Sequence, residues 1–412
     1  MLRLPAMPSY SKEMKMFMFA SLLNAAGSSL MWPIVSMYVF DELGRSMADA
    51  GLALLVHSLG MIGGQLVGGA LYYRVGVRPL IVGSLLVHAA GLGALAFAGS
   101  SWPLFLALLS FIGWFNAMAM PAIQSFIGFR FPERRAEMFN AVYVANNIGV
   151  AVGTAASGFL AELSYAFSFA ANGAASAAFA VFFLLYLRKA GAAAAGDPSV
   201  RKSAGSAGNA ALLANLRLYL LLALAGLLLN LSNSVWNAGV SPFLISEGSS
   251  KSAYGLLWTL NGVLIFVAQP LIGLLRRKIA TTYTAQMTAS AILYAAGFAC
   301  FLALPNYPGL VLGMILATFG EMLIAPAVPA FLSEAGGKDA PFYLGLAGGV
   351  GSAGRVVGPY AMGSLYDGGG LAPVAWLAVA AAAGAAALYY GHARWNRPSR
   401  RAAERVSANI SS

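Results

Sequence analysis

Twelve stretches of about 20 or more mostly apolar residues divide this chain, approximately 16–40, 48–72, 79–99, 103–128, 138–161, 165–187, 216–240, 252–275, 282–304, 309–332, 341–364 and 371–393. A helix rising about 1.5 Å per residue crosses about 30 Å of hydrocarbon in that length. Several connections are very short, such as Ser100–Trp102 and Pro305–Pro308, which suits helices rather than barrel strands. Only 9% of the 412 residues are charged, against 59% hydrophobic. A soluble domain carries about 25% charged residues, so a soluble enzyme, a nucleic-acid-binding domain and a disordered scaffold are all excluded for the whole chain. The first stretch follows Lys12 and Lys15, exceeds a signal-peptide core in length and lacks a small-residue cleavage site; it reads as an uncleaved span.

The formal net charge of +11 suggests a nucleic-acid partner until the charges are placed. With both termini and the loops after even-numbered spans on one side, that side holds 22 of the 25 Lys and Arg residues, the other side holds Arg45 and Lys251, and Arg355 lies within a span. The asymmetry is a topology signal that puts both termini in the cytoplasm, and no nucleic acid is needed to explain it. The basic tail, 394–412, can also meet anionic lipid headgroups. Residues 189–215 are rich in Ala, Gly and Ser and read as a cytoplasmic linker. The expected organisation is therefore a six-helix bundle over 1–188, the linker, a second six-helix bundle over 216–393 and the tail. Cys300 is the single cysteine, and His57, His88 and His392 lack metal-ligand spacing, so no metal or cofactor is expected. No GxxxxGK[ST] phosphate loop is present, which leaves gradients as the energy source for transport.

Internal repetition supports two halves. GVAVGTAASGFL in span five and GRVVGPYAMGSL in span eleven superimpose Gly149 on Gly354, Gly153 on Gly358 and Gly158 on Gly363, with Pro359 in the second copy. Glycines four apart share a helix face and admit a close neighbour, so these positions are expected to pack helices. Between spans two and three stands GALYYRVGVR, a tight turn at Gly76 flanked by Arg74 and Arg78.

On these motifs the chain resembles the major facilitator superfamily over essentially its whole length. The family's loop motif, G-x-L-a-D-R-x-G-R-R/K, is matched by Gly69, Leu71, Arg74, Gly76 and Arg78, while Tyr73 replaces the acid and Val77 an arginine. The span-five glycine motif of antiporters is matched at Gly149, Gly153 and Gly158, with Thr154 in place of proline, and Leu109 stands where many proton antiporters carry a span-four arginine. The resemblance implies an all-α integral membrane fold, with twelve helices in two pseudo-symmetric six-helix bundles that rock by alternating access. It implies gating by the loop motif and is nearest the twelve-span drug–proton antiporters of bacterial cytoplasmic membranes. Efflux of a small amphipathic molecule against protons is the expected function. A proton symporter or uniporter importing a nutrient is the alternative within transport, and a non-transporting sensor lies further off. No enzyme chemistry and no obligate protein partner are implied.

Ionisable residues deep in a membrane are costly and mark functional sites. Of the 14 acids only Glu321 falls mid-span, in span ten, and Arg355 in span eleven is its expected basic counterpart, for proton coupling or a fixed ion pair. In the family, spans one, four, seven and ten line the cavity with help from two, five, eight and eleven. That makes Asn24, Trp32, Asn116, Asn146, Asn230, Asn233, Trp236, Asn237 and Asn261, together with Glu321, the candidate substrate contacts. Asn230, Asn233 and Asn237 are three and four apart and form one expected stripe. His57 and His88 read as packing residues. One buried acid, one buried base and many amides suit an amphipathic neutral or zwitterionic compound.

Overall fold

The computed structural model describes residues 10–31, 34–35, 38–45, 47–95, 101–190, 209–249 and 251–395. Among these every regular element is helical. The elements are α1 (Lys12–Ser29), α2 (Met47–Val75), α3 (Val77–Leu95), α4 (Trp102–Arg130), α5 (Arg135–Leu163), α6 (Tyr165–Ala190), α7 (Asn209–Asn233), α8a (Lys251–Val267), α8b (Gln269–Lys278), α9 (Tyr283–Ala303), α10 (Tyr307–Ala335), α11 (Ala340–Gly369) and α12 (Leu371–Trp395). A π-helical turn, Trp236–Val240, and a short helix, Ser241–Ser246, extend α7, and α8a and α8b form one span bent by 62°. The chain is thus the expected all-α membrane protein of twelve helical spans.

Local sequence sets the helix ends. Ser11, Thr282 and Asn306 cap α1, α9 and α10 by accepting the backbone N–H of Met14, Ala285 and Gly309 at 3.2, 3.2 and 3.1 Å. Gly76, at φ +92°, makes the α2–α3 turn in a conformation that a side chain disfavours. Eight described helices are long and apolar enough to cross a membrane, and the bent α8 pair makes nine. Of the remaining spans, α1 and α5 run into residues outside the described ones, and α11 falls short over its full described length. It holds the Gly354 motif and Arg355, and a helix packed among others does not need an apolar surface all round.

The two halves repeat one packing plan. In the first, α2 packs on α4, α3 on α4 and α6, and α1 on α5; in the second, α9 packs on α10 and α12, and α7 on α11. The paired glycine motifs make the equivalent contacts. A Cβ on Gly149 would lie 2.8 Å from Ala25 Cβ and 2.9 Å from the backbone nitrogen of Ala26 in α1, and a Cβ on Gly354 would lie 2.9 Å from that of Leu231 in α7. Gly153 faces Ala26 and Ser29, and Gly358 faces Leu231 and Ser234. Gly363 departs from the expectation: open space surrounds it, so it is not a packing residue. Pro359 is exposed, and the surroundings of Gly158 lie outside the described residues.

The halves meet mainly along α2 and α11, with further contacts of α5 with α10 and α8a, and of α4 with α10 and α11. All of these that can be assigned to residues fall toward the end that carries Arg74, Arg78 and the Arg276–Lys278 run, here the basic end. Gly69 backs onto Pro341 and Gly345, Gln65 onto Gly345 and Gly348, and Leu66 onto Gly349. Farther along, the same faces separate. On α2, Leu59 is 52% exposed, with Leu55 and Leu52 also exposed; on α11, Arg355 and Pro359, which continue the line of Pro341 and Gly348, are exposed. The halves therefore form a V, closed at the basic end and open at the other.

Candidate functional site

Glu321 lies near the midpoint of α10, half-buried at the base of the V. Asn261 of α8a donates its Nδ2 to Glu321 Oε2 at 3.3 Å and to Thr318 Oγ1 at 3.0 Å. Thr318 in turn donates to the Met314 carbonyl of its own helix. From the opposite half, the buried Tyr143 hydroxyl of α5 lies within electrostatic reach of the Glu321 carboxylate, without a hydrogen bond of ordinary geometry to any described residue. Glu321 and Asn261, both candidate substrate contacts, are brought together by this hydrogen bond from Asn261, a pairing that the sequence did not specify. Tyr143 escaped it because a tyrosine in an apolar span looks like packing or an interfacial anchor.

The expected partnership of Glu321 with Arg355 is not present. Arg355, near the midpoint of α11, donates Nη2 to Ser352 Oγ at 3.1 Å, one turn back on its own helix. No ion pair among the described residues includes either residue: those present are Arg45–Asp49, Arg130–Glu13, Arg134–Glu137 and Arg135–Glu334. The Arg134 guanidinium, outside the spans, is held above its ordinary range by its hydrogen bond to Glu137.

The basic residue that approaches this site is Arg276. In sequence it belongs to a loop-like run of three cations, but the bend at Ala268 turns α8b so that Arg276 enters the protein. Its Nη1 donates to Asn140 Oδ1 of α5 at 3.1 Å, and its Nη2 donates to the Met322 carbonyl next to Glu321. Asn140 passes the contact on, donating Nδ2 to Gln269 Oε1 at 3.2 Å. Because Asn140 belongs to the first half, this network ties the halves together immediately on the basic side of Glu321.

The other expected residues divide by position. Trp236 is a correction: it is 1% exposed and packs edge-on to Trp258, Phe298 and Phe301 in the core of the second half. Its place in a cavity-lining span suggested a substrate contact, but at helical spacing it already lies off the line of Asn230 and Asn233, and the π-helical turn begins at this residue. The same break divides the α7 stripe. Asn230 donates to the Gly226 carbonyl at 2.9 Å, Asn237 accepts from the Tyr254 hydroxyl at 2.7 Å, and Asn233 is exposed. Asn24 and Asn146 are half-buried, while Trp32 lies outside the described residues.

Asn116 is drawn into a network of the first half. Ser176 Oγ donates to the Leu85 carbonyl at 3.1 Å and so accepts from His88 Nδ1 at 2.9 Å. His88 Nε2 then accepts from Asn116 Nδ2 at 3.2 Å. Both ring nitrogens are used by neighbouring helices, which fixes the tautomer and gives His88 the packing role expected of it.

In the loop motif, Gly69 makes a backbone contact between the halves, Leu71 packs in the first-half core, and Arg74 and Arg78 are exposed. Tyr73, standing where the resembled motif has an acid, pairs edge-on with Tyr72 and lies within electrostatic reach of Asp339 at the start of α11.

Comparison with known proteins agrees with this architecture. A family model described as Major Facilitator Superfamily matches residues 17–236 and 222–410. An uncharacterized MFS-type transporter, YttB of Bacillus subtilis, is 32% identical over 361 residues, covering 86% of this chain and 89% of its own. Multidrug resistance protein MdtH of Aeromonas hydrophila is 32% identical over 146 residues, 35% of this chain and 36% of that protein. Among solved structures, the human organic anion transporter MFSD10 superimposes with a TM-score of 0.65 at 16% identity, covering 92% of this chain and 98% of that one. The proton:xylose symporter XylE gives 0.68 at 13%, covering 92% and 94%. At these identities the structural likenesses bear on the fold alone. The chain belongs to the Major Facilitator Superfamily and is a multi-pass membrane transporter, not an enzyme.

Proposed function

We propose that this transporter exports a small amphipathic molecule from the bacterial cytoplasm in exchange for protons, with its basic end and both termini on the cytoplasmic side. The carrying observation is the position of Glu321 at the vertex of the V, half-accessible, hydrogen-bonded by Asn261 of its own half and within electrostatic reach of the Tyr143 hydroxyl of the other. A proton that binds this carboxylate changes what Tyr143 and Asn261 can donate to it, and so changes how the halves hold together. The basic-side network through Arg276, Asn140 and Gln269 closes one exit while the other is open, the arrangement required of one state in an alternating cycle. The partial relationship to MdtH supports efflux as the direction. Asn24, Asn146 and Asn233 are proposed to line the substrate path.

The test is flux in proteoliposomes under an imposed pH gradient. Substrate and protons should move in opposite directions, and Glu321→Gln should abolish gradient-driven movement while leaving substrate binding measurable. Co-directional fluxes would favour uptake, and normal gradient-driven transport by the variant would remove Glu321 from the coupling mechanism.

A further inference from the structure

Arg355 stands out as a cation near mid-membrane depth without a protein counter-charge among the described residues. It shares the α11 stripe that faces α2: Pro341, Gly348 and Ser352 precede it at helical spacing, and Gly348 and Ser352 meet Gln65. The Gln65 Nε2 donates to Ser352 Oγ at 3.4 Å, and the same hydroxyl accepts from Arg355. This hydrogen bond lies near the open end of the α2–α11 contact, and Arg355 is the next side chain of the stripe along α11. Its side chain is exposed, and the exposure opens into the V rather than outward, because the stripe points at α2.

A guanidinium carries five N–H donors, and here one of its nitrogens is engaged, by a neutral hydroxyl. No carboxylate among the described residues forms an ion pair with it. The acid expected to neutralise it, Glu321, is occupied by Asn261 instead. A charge at this depth is expensive unless paired, and a planar fork of donors aimed into a cavity matches a carboxylate or sulfonate in two-point geometry. Ser352 and Gln65 hold the group in place, so less of its side-chain entropy is lost when an anion docks.

We infer that Arg355 is the recognition point for an anionic group on the transported molecule, making the substrate an amphipathic organic anion. This rests on the transporter reading above but not on its proton coupling. It replaces the expectation of a neutral or zwitterionic compound, because the basic group is available to a ligand while the acidic one is engaged by Asn261.

The experiment is equilibrium binding to the full chain in lipid nanodiscs at a fixed pH, without any gradient. The probes are 2-naphthoate and 4-biphenylcarboxylate, each compared with its primary amide and the corresponding aryl methylamine. A charge-assisted pair should favour the carboxylates over the amides by about ten- to hundredfold. Arg355→Gln should erase that preference, and Arg355→Lys should keep part of it, since a cation remains while the fork is lost. Glu321→Gln should retain it. Equal or weaker binding of the carboxylates, or an Arg355→Gln protein that still prefers them, overturns the inference. The two proposals separate cleanly: loss of coupled flux in Glu321→Gln with unchanged preference in Arg355→Gln leaves only the coupling role standing, and the opposite pair of results leaves only the anion site.

Discussion

The closed end of the V depends on backbone meeting backbone, and Gly345 is where that can be tested most sharply. A Cβ on Gly345 would lie 2.5 Å from the Gln65 carbonyl oxygen, 3.0 Å from Gly69 Cα and 3.2 Å from Gly69 N. All three atoms belong to the backbone of α2 in the other half, so rotating a side chain relieves none of the overlap. Bringing the oxygen to ordinary contact distance requires α2 and α11 to part by about 1 Å, at an overpacking cost of about 1–3 kcal/mol. That penalty applies only where the two helices touch, in the state closed at the basic end. A free energy of this size on one side of a two-state equilibrium moves the populations by about five- to 150-fold. Spin-label distances between exposed positions of a Cys300→Ser background provide the assay, with Arg78 and Lys278 reporting the basic end and Leu52 and Tyr360 the opposite end. Gly345→Ala should lengthen the first distance and shorten the second. Gly363→Ala, made at a glycine surrounded by open space, should change neither. A folded Gly345→Ala protein with the distance distributions of the parent would refute the claim that this contact holds the basic end shut.

Two further outcomes follow from the polar networks. Arg276→Met leaves Asn140 Oδ1 and the Met322 carbonyl without their donor, so it should lower the thermal stability of the closed state by about 1–3 kcal/mol and raise labelling of a cysteine at Asn140 from the basic side, whereas Arg277→Gln, exposed, should stay within about 0.5 kcal/mol of the parent in detergent unfolding. Ser176→Ala removes the acceptor of His88 Nδ1 and should cost about 1–3 kcal/mol of stability while leaving the pH dependence of transport unchanged; a shifted pH profile would show that His88 belongs to the proton path.

Residue patterns that depend on a regular helix were readable in advance, and those that depend on a break were not. The spans, the paired glycine seams of α5 and α11 and the mid-span position of Glu321 all follow from length, spacing and the cost of charge in a membrane, whereas its partner Asn261 does not. Asn237 was grouped with Asn230 and Asn233 by a regular period that the π-helical turn beginning at Trp236 breaks, and nothing in WNAGV announces that turn. Arg276 was hidden inside a run of cations that looks like a membrane-edge anchor, until the bend at Ala268 turned the first of the three inward. Tyr143 carries no distinguishing signal in sequence; its importance comes from an acid on another helix. Arg355 was recognisable as costly, but its partner could not be chosen by depth alone, since span depth says nothing about rotation around the helix axis.

Span eleven, which falls short of the apolar threshold over its full described length, also bears on how the chain enters the bilayer. A segment with glycines and polar groups in place of large apolar side chains gains little by partitioning into lipid on its own. Its neighbour supplies the difference: α11 leans on α7 through Gly354 and Gly358. Insertion of α11 is thereby coupled to its packing, so the glycine seam that lets the mature protein pack also favours settling the eleventh span against a seventh already in place.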